Sequence, residues 1–150
     1  MNVTIKNSHK AILESDLRKL ESRMRAKLPP AYRKFLRSHN GGIPTPDLFS
    51  TRDGKIDSIV RNFLPLDSDD EESLTSEFEE FTLEKQIPSN IIPIAIDPAD
   101  DRIVLSLFGR DAGSIYYWAR GQEPDPPSCS YKYMYLIADS FEEFLSYLHE

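Results

Sequence analysis

Cysteine is almost absent from this chain. Cys129 stands alone in 150 residues, which excludes an internal disulfide and a cysteine-built zinc site. Histidine is nearly as scarce: His9, His39 and His149 lie far apart, and none forms an H-E-x-x-H or similar ligand pair. No stretch approaches the roughly 20 apolar residues of a membrane helix, and Met1 to Asn7 lacks an apolar run of secretory length. These absences predict a cytoplasmic protein in a reducing compartment, without membrane contact. Catalytic signatures are missing as well, since there is no G-x-S-x-G elbow, P-loop or G-x-G-x-x-G. Gly41-Gly42 follows a predicted helix instead of opening one, the wrong arrangement for cradling phosphate. Cys129 sits in a proline-rich loop with no nearby histidine, an incidental thiol more readily than a nucleophile. The expectation is a protein that is not an enzyme and holds no metal and no cofactor. Composition alone leaves a glycosidase-like carboxylate pair open.

What the chain does contain is a core and an uneven charge. Its 39% hydrophobic residues, with eight Phe, seven Tyr and one Trp, are values of a globular domain. The net charge is −7, but residues 1–40 carry ten Lys/Arg against three Asp/Glu. Between Asp67 and Glu84 there are nine acids (Asp67, Asp69, Asp70, Glu71, Glu72, Glu77, Glu79, Glu80, Glu84) and no base. Such a run repels nucleic acid and attracts a basic partner, although a plain solvated helix face has the same composition.

Periodicity predicts the elements. Ser15 reads as the cap of a first helix, with Leu17, Leu20, Met24 and Leu28 inward and Pro29-Pro30 as its stop. Pro30 starts a second helix, which presents Tyr32, Phe35, Leu36 and His39 on one side and is closed by Gly41 in a left-handed conformation. Pro44 and Pro46 exclude helix, and Asp53-Gly54 signals a hairpin between 48–51 and 55–64. Ser68-Asp69-Asp70-Glu71 has capping-box spacing and predicts a third helix from there, with Leu74, Phe78 and Phe81 inward. Segments 91–96, 102–108 and 114–118 are apolar runs joined by short turns, which makes an antiparallel meander. The first of those turns, with Asp97, Asp100 and Asp101, lacks the glycine and closing glutamate of a calcium loop and reads as turn chemistry. A last strand at 133–138 leads into a helix capped by Ser140, carrying Phe141, Phe144, Leu145 and Leu148. The whole is one α+β domain over 1–150. It has an antiparallel sheet of about five to six strands and four helices: two N-terminal, one mid-chain and one C-terminal.

Strand alternation places Tyr117 with Ile115 on one face and Tyr116 with Trp118 on the other. One set belongs to the core; the other, if exposed, suits a protein interface. Tyr116 and Trp118 are therefore candidate aromatic anchors, beside the acids Asp69, Asp70, Glu71, Glu72, Glu77, Glu79 and Glu80.

The segment Leu28-Pro29-Pro30-Ala31-Tyr32-Arg33-Lys34-Phe35-Leu36-Arg37-Ser38-His39-Asn40-Gly41-Gly42 resembles the L-P-x-x-Y-x-x-F-L-x-x-x-N-G-G signature of the SUKH superfamily, the Smi/Knr-type domain. Its matching positions are Leu28, Pro29, Tyr32, Phe35, Leu36, Asn40, Gly41 and Gly42. The resemblance continues through Pro93 in the Ile-Pro strand, Trp118, and Phe141 and Phe144 of the last helix. It departs at Pro98-Ala99-Asp100-Asp101, where family members usually have a glycine. The resemblance implies an α+β fold whose signature residues serve the fold. It also implies a protein partner: for the bacterial branch, a toxin domain, often a nuclease or deaminase, neutralised by an immunity protein. A fungal relative implies the alternative, an adaptor for an endogenous cytosolic protein in cell-wall synthesis. Either state, monomer or weak dimer, is compatible with the sequence.

Overall fold

The computed structural model describes residues 3–150. An opening strand, β1 (Thr4–Lys6), leads to α1 (Glu14–Met24). Leu17, Leu20 and Met24 turn inward as their spacing predicts. The helix starts before Ser15, however. Leu13 is the cap residue, and its N–H donates to the Asp16 carboxylate at 2.8 Å. It also ends before the prolines, because Arg25 adopts φ 56° and closes the last turn.

Helix α2 (Pro30–Ser38) begins at the expected proline and buries Tyr32, Phe35 and Leu36. Its end corrects the role expected of Gly41. His39 already leaves the helix in an extended conformation, φ −141°. Gly41 does have φ +76°, but the reason is a crossing of backbones. A Cβ there would lie 2.8 Å from the Pro65 nitrogen and 3.1 Å from the Phe63 carbonyl oxygen. Asn40 completes this crossing, donating to the Lys10 carbonyl and accepting from the Leu66 N–H, both at 2.8 Å.

Three short strands follow, β2 (Ile43–Thr45), β3 (Leu48–Ser50) and β4 (Asp57–Ile59). Strand β2 pairs with β1, and β3 with β4 around the expected turn at Gly54. Then come β5 (Asn62–Phe63), α3 (Leu74–Glu77), a wider turn of π-helix at Phe78–Leu83, and the meander β6 (Ile91–Ile96), β7 (Arg102–Ser106), β8 (Ile115–Trp118) and β9 (Met134–Ala138). Strands β5 to β9 form one antiparallel sheet in sequence order. The chain ends in α4 (Phe141–Tyr147), capped by the Ser140 hydroxyl, which accepts from the Glu143 N–H. Phe141 meets Tyr32 and Phe35 at ring-centre distances of 5.0 and 4.9 Å, which joins α4 to α2.

Every residue of β6 and β7 is buried, so the sheet is covered on both faces. Ile92, Ile94, Ile103, Leu105, Ile115 and Tyr117 enter the main core. The alternate positions Ile91, Val104 and Trp118 pack with Phe81 and Ile87 in a smaller cluster. The result is the expected single α+β domain. The turn after β6 needs no glycine, because Asp100 itself adopts φ 67°. The Asp97 carboxylate accepts from the Ala99 and Asp101 N–H groups at 3.0 and 2.8 Å.

Candidate partner-binding surface

The acids Asp67 to Glu72 form a loop, not the first turns of a helix. The capping residue of α3 is Ser73, whose hydroxyl accepts from the Ser76 N–H at 3.1 Å. Ser68, the expected cap, instead accepts from Asp70 and Glu71 N–H groups within the loop. Long-range bonds decide between the two serines. The Leu74 N–H donates to the Pro65 carbonyl at 2.8 Å, and the Thr75 hydroxyl donates to the Leu66 carbonyl at 2.9 Å. Both ends of the loop are thereby clamped to each other, and Asn40 clamps Leu66 to the N-terminal segment. Six residues rich in carboxylate project from a fixed base.

The candidate acids have three different situations. Asp69, Asp70, Glu72 and Glu80 are exposed and make no ion pair among the described residues. Glu71 and Glu79 are exposed but engaged, Glu71 with His9 and Glu79 with Arg23 at 3.1 Å. Glu77 is not available to a partner at all. It is 2% exposed and bonded to Arg102, itself 3% exposed. Burial raises the Glu77 carboxyl above its ordinary range, and the guanidinium offsets this only in part. The acidic composition of the run conceals this residue, yet its spacing does not. Glu77 lies three residues after Leu74 and four before Phe81, both buried, and so shares their inward face.

The aromatic candidates also need correction. Trp118 is 2% exposed because the Phe78–Leu83 turn covers that face of the sheet; the Phe81 ring meets it edge-on at 5.2 Å. Its Nε1–H donates to the Glu123 carboxylate at 2.8 Å, which ties the 119–132 loop to the sheet. Tyr116 is half-buried and its hydroxyl donates to Asp111 at 2.7 Å. Asp111 is a focus that no motif announces. It also accepts from the Tyr131 hydroxyl at 2.7 Å and the Ser106 hydroxyl at 2.8 Å. Partial burial alone would raise its carboxyl, but these three donors outweigh it and hold the group below its ordinary range. Burial and the Asp111 charge together push the Tyr116 hydroxyl upward, so it stays a proton donor. The arrangement fastens a loop; Trp118 is buried within it, whereas Tyr116 keeps part of its surface open.

Two hollows could suggest other chemistry. One, of about 550 Å³, lies between α2 and α4 over Phe35, Phe141 and Leu145, with Lys34, His39 and Glu142 at its rim. The other, of about 270 Å³, lies beside Asp101, Arg120 and Glu123. The first hollow also has Ser38 and Ser146 in its lining, but among the described residues neither hydroxyl is hydrogen-bonded to the His39 ring or to a carboxylate; Ser146 donates to the Glu143 backbone carbonyl. Among the described residues no group of three His, Cys, Asp or Glu side chains could hold a metal ion. No helix among them is long and apolar enough to cross a membrane.

Against known families, the model described as the SMI1 / KNR4 family (SUKH-1) matches residues 11–147. No curated protein matches the chain.

Proposed function

The chain belongs to the SMI1 / KNR4 family (SUKH-1), and from that premise we propose that it is a cytoplasmic immunity protein whose acidic loop occludes the basic site of a toxin. Membership supports a non-catalytic protein-binding domain. The observation that carries the finer reading is the clamped loop with Asp69, Asp70 and Glu72 exposed and unneutralised among the described residues. A nuclease or deaminase domain binds polyanionic substrate and so presents cations at its active site. Carboxylates held at a fixed base meet that site without first being ordered, which lowers the cost of association. Glu80, on the turn that follows α3, extends the same charge.

The test is isolation of the protein bound to this chain in the cells that encode it, followed by expression of that protein alone. Growth arrest, relieved when this chain is co-expressed, is the expected result. A partner that is harmless alone and acts in cell-wall synthesis would overturn the immunity reading in favour of the adaptor.

A further inference from the structure

Helices α2 and α4 lie side by side, with the Phe35 and Phe141 rings 4.9 Å apart between them. Over that contact lies the hollow of about 550 Å³. Phe35, Phe141 and Leu145, all members of the main core, make its floor. Its α2 wall is Ala31, Lys34 and Ser38, at i, i+3 and i+7 and so along one face of that helix. Small side chains at both ends of this wall leave the space open. The rim carries one charge of each sign. Lys34 is exposed on the α2 wall and Glu142 on the α4 wall. They line one hollow without pairing across it, and neither makes an ion pair elsewhere among the described residues.

An occupant of this space must be convex, apolar along its centre and charged at its edges. The walls are helices, whose backbone groups bond within themselves, so an extended segment would find no ladder to join. A helix brings its own hydrogen bonds satisfied and needs only to insert a ridge of side chains into the groove between two others. From Ala31 to Ser38 the wall runs about 10 Å, the length of two helical turns. A second copy docked about a twofold axis would set one hollow against another and leave a void, which forfeits contacts on both sides.

We propose that the α2–α4 hollow docks a short amphipathic helix of a partner protein. That helix carries large apolar side chains at i, i+3 or i+4, and i+7, with an acid on the flank that meets Lys34 and a base on the flank that meets Glu142. The apolar stripe supplies the attraction, and the two flanks set which way the helix lies. The inference does not rest on the role of the acidic loop, none of whose residues lines this hollow.

A synthetic helix of about 15 residues serves as the probe. It has leucine at i, i+3, i+4 and i+7, glutamate along one flank, lysine along the other and alanine elsewhere. Titrated into the isotope-labelled full chain and followed by NMR, it should shift the amide resonances of α2 and α4 that bound the hollow. A scrambled peptide of the same composition should not. Ala31→Trp, which fills the hollow, should weaken binding about tenfold or more. Lys34→Glu and Glu142→Lys each give two walls of one sign and should each weaken it roughly threefold to tenfold. Combined, they should restore it, because a helix turned end for end presents its flanks in reverse order. No shift at about 1 mM peptide, where even a Kd of that order is seen, overturns the proposal. Equal binding of the scrambled peptide does the same. So do single reversals without effect, or a double variant as weak as either single one when circular dichroism shows all three folded; these exposed positions decide the matter even where Ala31→Trp fails to fold. A parent that is dimeric, and that Ala31→Trp makes monomeric, would overturn it in favour of a second copy.

Discussion

Removing the Glu77 carboxylate should be far more damaging than its place in an acidic run suggests. Its side chain is 3% exposed and that of Arg102 4%. The guanidinium donates to Glu77 through Nε, and through Nη1 to the Asp100 carbonyl at 2.6 Å and carboxylate at 3.1 Å. It also lies 5.4 Å from the centre of the Phe81 ring. Glu77→Ala leaves Nε without its acceptor in a site that water does not reach. Breaking one partner of a buried pair costs about 3–5 kcal/mol. Asp100 still accepts from Nη1, so the low end, about 3 kcal/mol, is expected. Against a total stability of about 5–15 kcal/mol this is a large loss. Glu77→Gln should cost less than Glu77→Ala, because the amide oxygen still accepts from Nε. Glu77→Leu with Arg102→Met should also cost less than Glu77→Ala alone, since an apolar replacement of a whole buried pair is often near neutral. Urea unfolding followed by circular dichroism reads the difference, as a change in midpoint at constant slope. A Glu77→Ala protein within about 1 kcal/mol of the parent, below the range for a broken buried pair, would refute the reasoning. A double variant less stable than the single one would do the same.

Two further changes probe the frame around the loop. Gly41→Ala should destabilise by about 2 kcal/mol or more, because a left-handed alanine costs about 1–2 kcal/mol and its Cβ meets the Pro65 backbone at 2.8 Å. An unchanged melting temperature would show that the crossing with Pro65 relaxes freely. For Asp111, partial burial raises the carboxyl but the Tyr131, Tyr116 and Ser106 hydroxyls lower it further, so its folded pKa lies below the unfolded one. Its contribution is present above the unfolded value near 3.9 and is lost as pH falls through the lower folded value. Asp111→Asn should therefore flatten the stability profile below about pH 4. An acid limb identical to the parent's would contradict that assignment.

The meander was legible because its evidence is local. Segments 91–96, 102–108 and 114–118 are apolar runs separated by Asp- and Gly-rich turns, and no distant contact is needed to pair them. The helix starts were less legible because several residues offered the same capping chemistry. Ser68 and Ser73 both precede a polar third residue, and the choice falls to bonds between Leu74, Thr75 and the Pro65–Leu66 backbone. Strands β1 and β2 escaped the sequence for a related reason. Each has three residues, and Thr4 pairs with Thr45 across the whole helical segment. Within the candidate surface, the charge of the loop could be read from composition, whereas exposure could not. Trp118 is covered by a turn nearly forty positions earlier in the chain, and nothing in its own strand announces that. Glu77 is the instructive residue, since its helical phase with Leu74 and Phe81 contradicted its charge, and the phase prevailed.

The central claim, that the exposed loop acids bring a basic protein partner to this domain, is tested most directly by association kinetics across a salt series. The protein isolated with this chain would be mixed by stopped flow with the parent and with a variant carrying Asp69→Lys, Asp70→Lys, Glu72→Lys and Glu80→Lys, all at exposed positions. The account predicts association about tenfold slower or more for the variant at low salt, converging with the parent near 1 M, where the Debye length is about 3 Å. Equal association rates at every ionic strength, with both proteins folded, would contradict it.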